Sequence, residues 1–130
     1  MIVVDASAVL EVLLRTPAAS VVEQRLFARS QTLHAPHLLD VEVAQVVRRY
    51  VANGQIDAER GRMALADLAD LPLRRYAHDF LLPRVWDLRS NFTAYDAIYV
   101  ALAEVLDAPL LTRDKRLAAS PGHQARIELA

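Results

Sequence analysis

Five short strand-like segments punctuate the chain, at 2–4, 32–36, 73–77, 108–112 and 125–129, and a stretch patterned for helix fills every gap between them. Strands joined through helical crossovers lie parallel, and a parallel sheet needs helices over both faces. The alternation therefore predicts an α/β fold, a three-layer sandwich around a central, mainly parallel sheet of about five strands. Helices are expected at 8–15, stopped by Thr16-Pro17, and at 19–29, with Val21, Val22, Leu26 and Phe27 at helical spacing. A long amphipathic helix at 37–53 carries Leu39, Val43, Val46, Val47 and Tyr50 on one stripe and ends at Asn53-Gly54. Asp57 caps the next, which runs to about 71, ahead of Pro72. Further helices are expected at 79–88, 94–106 and 114–119, with Phe80, Leu82 and Trp86 assigned to the core.

With 130 residues, of which 54% are hydrophobic, the chain suits one domain spanning 1–130. A net charge of −1 supplies no global basic field, which argues against a protein that coats nucleic acid without specificity. Cysteine is absent, so disulfides and thiolate metal sites are excluded and a reducing compartment is expected. Asp5 and Glu11 interrupt the first apolar run, and no charge-free stretch approaches the roughly 20 residues of a membrane span. A cytoplasmic protein with no membrane partner is the expectation. Three glycines leave no phosphate-cradling loop. His34, His37, His78 and His123 show no ligand spacing and read as surface or satisfied core residues. Arg48-Arg49 and Arg74-Arg75 each precede a tyrosine and read as solvated faces.

The carboxylates are more informative. Ligands of an open parallel sheet bind beyond the C-terminal ends of its strands. Asp5 follows the first strand and Asp114 the fourth; Glu42 lies early in the helix after the second, and Asp96 in the first turn of its own helix. Each has a local explanation. Asp5 and Asp114 are good helix caps, and "TAYD" at 93–96 has the form of a capping box. Glu42 borders the Val43/Val46 stripe, where a carboxylate needs a partner. Four converging carboxylates would repel unless a hard divalent cation, Mg²⁺ or Mn²⁺, sat between them. On the residues alone, caps and metal ligands both stand.

The settings of these acids resemble those of a known family. "IVVDASAVLEVLL", "APHLLDVEVAQVVRR" and "TAYDAIYVALAEVLDAPLLTRDKRLA" are similar, in order, to the motifs of PIN domains, specifically the VapC toxins of bacterial toxin–antitoxin pairs. The resemblance spans essentially the whole chain and implies a PIN-like fold. It implies that Asp5, Glu42, Asp96 and Asp114 are the catalytic, metal-binding acids, with Ser7 and Thr112 as supporting hydroxyls. It further implies a Mg²⁺- or Mn²⁺-dependent endoribonuclease, in which metal-activated water cuts RNA to a 5′-phosphate and a 3′-hydroxyl. The implied partners are a VapB-type antitoxin laid over the acidic cleft, a second copy joined through 37–71, and DNA only through the antitoxin. Arg113, Lys115 and Arg116 flank Asp114 and are candidate RNA contacts. Asp40 matches no family acid. Ala6 stands where many members have Thr or Ser, and Lys115-Arg116-Leu117 where some carry a further acid, so one ion or two remains open. A haloacid-dehalogenase-type phosphotransferase would need a second Asp where Ser7 stands, and a response-regulator receiver an acidic pair after the first strand. The alternative function is an inactive PIN-like module acting only by binding a partner.

Overall fold

The computed structural model describes residues 1–130. Its five strands are β1 (Ile2–Val4), β2 (Leu33–Pro36), β3 (Leu73–Tyr76), β4 (Leu110–Thr112) and β5 (Ile127–Leu129). They form one sheet in the order β3-β2-β1-β4-β5, and every pairing is parallel, so the mainly parallel sheet expected is wholly so. The helices are α1 (Ala6–Leu13), α2 (Ala19–Leu26), α3 (Leu38–Ala52), α4 (Ala58–Asp70), α5 (Leu82–Asp87), α6 (Ala94–Leu106) and α7 (Lys115–Ala119).

The chain moves outward from β1 through β2 to β3, then returns to the other side of β1 for β4 and β5. That reversal opens a crevice between the C-terminal ends of β1 and β4, where open α/β sheets bind ligands. β1 is fully buried, and Leu110 and Leu111 of β4 nearly so, because helices cover both faces. The middle of α6, Ala97 to Ala103, is buried on every side, since this helix touches β1, β2, β4 and α5. Its run of small residues (Ala97, Ala101, Ala103) allows that close approach. No helix is long and apolar enough to cross a membrane.

Several assignments to the core change. Phe80, Leu82 and Trp86 are 54%, 54% and 67% exposed, while Leu81, Val85 and Leu88 take the core. A 3₁₀ turn at Asp79–Leu81 precedes α5, and the stretch expected as one helix is two elements with a shifted face. In α2, Val22 and Leu26 are buried, but Val21 points to solvent, as does Phe27 at the cap just after the helix. In α3, Leu39, Val43 and Val47 carry the buried stripe, with Val46 and Tyr50 only half-buried.

Candidate functional site

β1 passes into α1 through a single residue, Asp5, whose extended backbone (φ −96°, ψ 173°) makes it the N-cap. Its Oδ1 accepts the Ala8 amide at 3.1 Å and the Ser7 hydroxyl at 2.7 Å, and its Oδ2 accepts the Thr112 hydroxyl at 2.5 Å. Each hydroxyl in turn accepts a backbone amide from the turn after β4. The Arg113 N–H donates to Ser7 Oγ at 2.9 Å, and the Asp114 N–H to Thr112 Oγ1 at 3.0 Å. Two relays thus run from the β4–α7 turn through hydroxyls to one carboxylate, tying the ends of β1 and β4 across the crevice. Asp5 is 7% exposed and Thr112 wholly buried. Burial pushes the Asp5 carboxyl above the usual carboxylate range, the hydrogen bonds oppose that, and the charge of Asp96 adds to it.

The other three acids reach the same edge from different elements. Asp114 caps α7, accepting the amides of Arg116 at 2.9 Å and Leu117 at 3.2 Å. Asp96 stands in the first turn of α6, where Thr93 Oγ1 accepts its amide at 3.2 Å. α6 leads straight into β4 and so runs antiparallel to the strands, which brings its N-terminus to their C-terminal edge. Glu42, in the second turn of α3, accepts a hydrogen bond from the Tyr99 hydroxyl. Burial raises the pKa of both Glu42 and Asp96. Among the smaller causes, Asp96 and Asp5 raise Glu42, Asp114 raises Asp96, and Arg116 lowers Asp96. Burial, with the nearby Glu42 charge, holds the Tyr99 hydroxyl protonated.

None of the four acids forms an ion pair, although six arginines elsewhere do. Their oxygens are the donor type that a hard divalent cation takes. As the side chains stand, no three His, Asp or Glu groups lie close enough together to ligate one ion. Asp5 is turned to Ser7 and Thr112, and Glu42 to Tyr99. The donor set therefore fits a hard cation in kind, and closing around one requires side-chain rotation. Asp5 and Asp114 are local caps as well as members of the cluster, whereas the carboxylates of Asp96 and Glu42 cap no helix.

A PIN-domain profile matches residues 2–122. The chain belongs to the PIN-domain family. Among curated relatives, it is 46% identical over 129 residues to Ribonuclease VapC12 of Mycobacterium tuberculosis H37Rv, covering 99% of this chain and 98% of that protein. Ribonuclease VapC1 of the same strain is 48% identical over 128 residues, covering 98% and 96%. Among solved structures, VapBC2 from Rickettsia felis, bound to a DNA fragment from its promoter, superposes with a TM-score of 0.71 at 14% identity, over 99% of this chain and 98% of that chain. In this PIN domain the acids sit at the switch point of a wholly parallel sheet.

Two cavities open beside the acids of this PIN domain. One of about 620 Å³ is lined by Ser7, Leu10, Glu42, Val46, Tyr50 and Tyr95; the other, about 270 Å³, is polar and includes Asp96 and Arg116. Of the three basic residues after β4, Arg113 is held by the Ala130 carbonyl at 2.5 Å and lies 3.9 Å from Glu11. Lys115 is exposed on α7 and lines neither cavity. Asp40, which matches no family acid, is paired with Arg75 at 2.7 and 3.1 Å. His34 is a satisfied core histidine, its two ring nitrogens bonded to Thr32 and Tyr76 at 2.8 and 2.7 Å. Sequence reasoning missed Tyr99. Its signal was a buried-helix tyrosine one turn after Asp96, whose hydroxyl needs a partner.

Proposed function

We propose that this chain is the toxin of a type II toxin–antitoxin system, a metal-dependent endoribonuclease whose metal-binding and catalytic residues are Asp5, Glu42, Asp96 and Asp114. One observation carries the assignment of the site: four acids from separate elements meet at the C-terminal edge of the sheet with no ion pair to any of them, and charge from another of the four adds to the burial that raises Asp5, Glu42 and Asp96. The ribonuclease names of relatives at 46–48% identity support the reaction. Mg²⁺ or Mn²⁺ is the proposed ion. When bound, it lowers the pKa of a water molecule and offsets charge growing on the phosphodiester. Ser7 and Thr112 hold Asp5 through both of its oxygens, and Tyr99 holds Glu42 through one, so an arriving ion has to draw these carboxylates away from their hydroxyl partners. No cysteine exists to serve as nucleophile, and the hydrogen-bond partners of the Ser7 hydroxyl are Asp5, Thr112 and the Arg113 amide, with no histidine among them.

Residues 1–130 act as one unit in this reading, in the cytoplasm, opposite a VapB-type antitoxin. The Rickettsia felis neighbour was solved as such a pair on promoter DNA, and any DNA contact of this chain is assigned to its antitoxin. A homodimer through α3 and α4 is supported by apolar side chains left in solvent there, Val41, Met63 and Leu65.

The inactive-module alternative has its own observation, the lack of three acids within ligating reach. Thermal melts with and without Mn²⁺ separate the two, combined with cleavage of a structured RNA. Wild type is expected to melt several degrees higher with Mn²⁺ and to cut RNA. Asp96→Asn should lose both the shift and the cleavage. A wild type that Mn²⁺ neither stabilises nor activates is the inactive module.

A further inference from the structure

The segment leading into α6 carries the chain's one tryptophan, Trp86, 67% exposed. The guanidinium carbon of Arg89 lies 4.6 Å over the centre of its ring, and Arg89 Nη1 donates to the Trp86 carbonyl at 2.9 Å. Arg89 is therefore held at two points, on an aromatic face and on a backbone oxygen. It lines the 270 Å³ cavity together with Asn91, Thr93, Ser120, Arg116 and, at the edge shared with the acids, Asp96. Neither Arg89 nor Arg116 has a carboxylate within ion-pair distance.

An RNA strand must approach four acids with its own negative charge, and something next to them has to hold it. Two guanidinium groups without an ion pair, in a polar cavity that the Asn91 amide and the Thr93 and Ser120 hydroxyls also line, have the chemistry that binds phosphate oxygens. A solvent-facing indole against Arg89 is a stacking surface for an unpaired base. We propose that Arg89 and Arg116 form a phosphate-binding subsite that seats single-stranded RNA beside Asp96, with Trp86 positioning Arg89 and stacking a base. The inference rests on the ribonuclease reading above and names how that site grips its substrate. The larger cavity on the Glu42 side is more apolar and suits a protein segment better, which is why RNA is assigned to the smaller one.

The test measures binding apart from cleavage. A fluorescein-labelled single-stranded RNA of about 12 nucleotides is titrated with metal-free protein in EDTA, followed by anisotropy at several salt concentrations. Arg89→Ala and Arg116→Ala are each expected to weaken binding about 5- to 10-fold. Each should also flatten the slope of log K against log salt by about 0.7. Trp86→Ala should weaken binding, Trp86→Phe should recover most of it, and Trp86 emission in wild type should change as RNA saturates. Arg62→Ala, on α4 and paired with Glu59, should bind like wild type. With Mn²⁺ present, Arg89→Ala should raise KM more than it lowers kcat.

Wild-type affinity and salt slope in a folded Arg89→Ala protein overturn the proposal, as does wild type that binds no RNA at low salt. An acidic peptide that binds tightly through Arg89 while RNA binding ignores it also overturns it, in favour of a protein partner. The two readings fail separately. Intact cleavage with an indifferent Arg89→Ala removes only the subsite, and the binding pattern without cleavage by any variant removes only the ribonuclease activity.

Discussion

Asp5 illustrates how one residue satisfies two demands. It caps α1 through Oδ1, and with both oxygens it gathers the hydroxyls of Ser7 and Thr112. A simple cap needs only the acceptor, so Asp5→Asn keeps the cap while removing the charge, and Asp5→Ala removes both. Thr112 is the more telling position, since its hydroxyl both donates to Asp5 and accepts the Asp114 amide in a fully buried setting. Thr112→Val keeps the shape and strands both partners. It is expected to cost about 1–3 kcal/mol in urea unfolding, whereas Thr112→Ser keeps the relay and loses only a methyl group. A Thr112→Val protein as stable as wild type would show that the relay is incidental. The sequence made Asp5 legible as a residue to explain, because an acid directly after a buried run is costly. The Tyr99–Glu42 contact was not legible, since 57 residues separate the pair and only the packing of α6 on the sheet brings them together.

At the scale of elements, the order and type of strands and helices are legible because each short strand segment is bounded by clear helix signals. The face of α5 is legible too, but in another set than the one assigned to the core. Leu81, Val85 and Leu88 have the i, i+4, i+7 spacing of one helical face, whereas Phe80 and Leu82, two residues apart, cannot share a face. The 3₁₀ turn before α5 sets the phase and turns Trp86 outward. What fixes α5 against α6 is a two-pronged pair, Arg84 to Glu104 at 2.8 and 2.9 Å, with Glu104 also accepting the Gln124 amide at 2.8 Å. Arg84 holds the Glu104 carboxyl below the usual carboxylate range. With a lowered folded pKa, this contribution is present above the unfolded pKa and fades as pH falls through the folded one. Glu104→Gln should therefore cost about 1 kcal/mol at neutral pH, Arg84 being partly solvated, and the gap to wild type should close on acidification. A gap that persists at low pH would mean the loss is one of packing.

The whole molecule holds its acids in tension with its fold. Asp5, Glu42 and Asp96 all have folded pKa values above their unfolded ones, so just above the ordinary carboxylate range the native state binds more protons than the unfolded chain. Stability from these groups then rises as pH falls from neutrality into that range, and is lost as pH climbs through the raised values. His34 works against this. Burial lowers its pKa, so its contribution weakens as pH drops below the unfolded value of histidine. Comparing wild type with Asp96→Asn removes the histidine from the difference, because both proteins carry it. Without metal, wild type should be the less stable of the two at neutral pH, and the difference should shrink as pH is lowered toward the carboxylate range. Mn²⁺ should invert this order, since a bound cation favours the ionised acids and only wild type offers the full set. Melting curves across that range, with and without Mn²⁺, read both signs at once. A metal-free wild type that stays the more stable protein at neutral pH would mean that Asp96 serves α6 as a favourable charge in its first turn, and that proximity at the switch point carries no net repulsion.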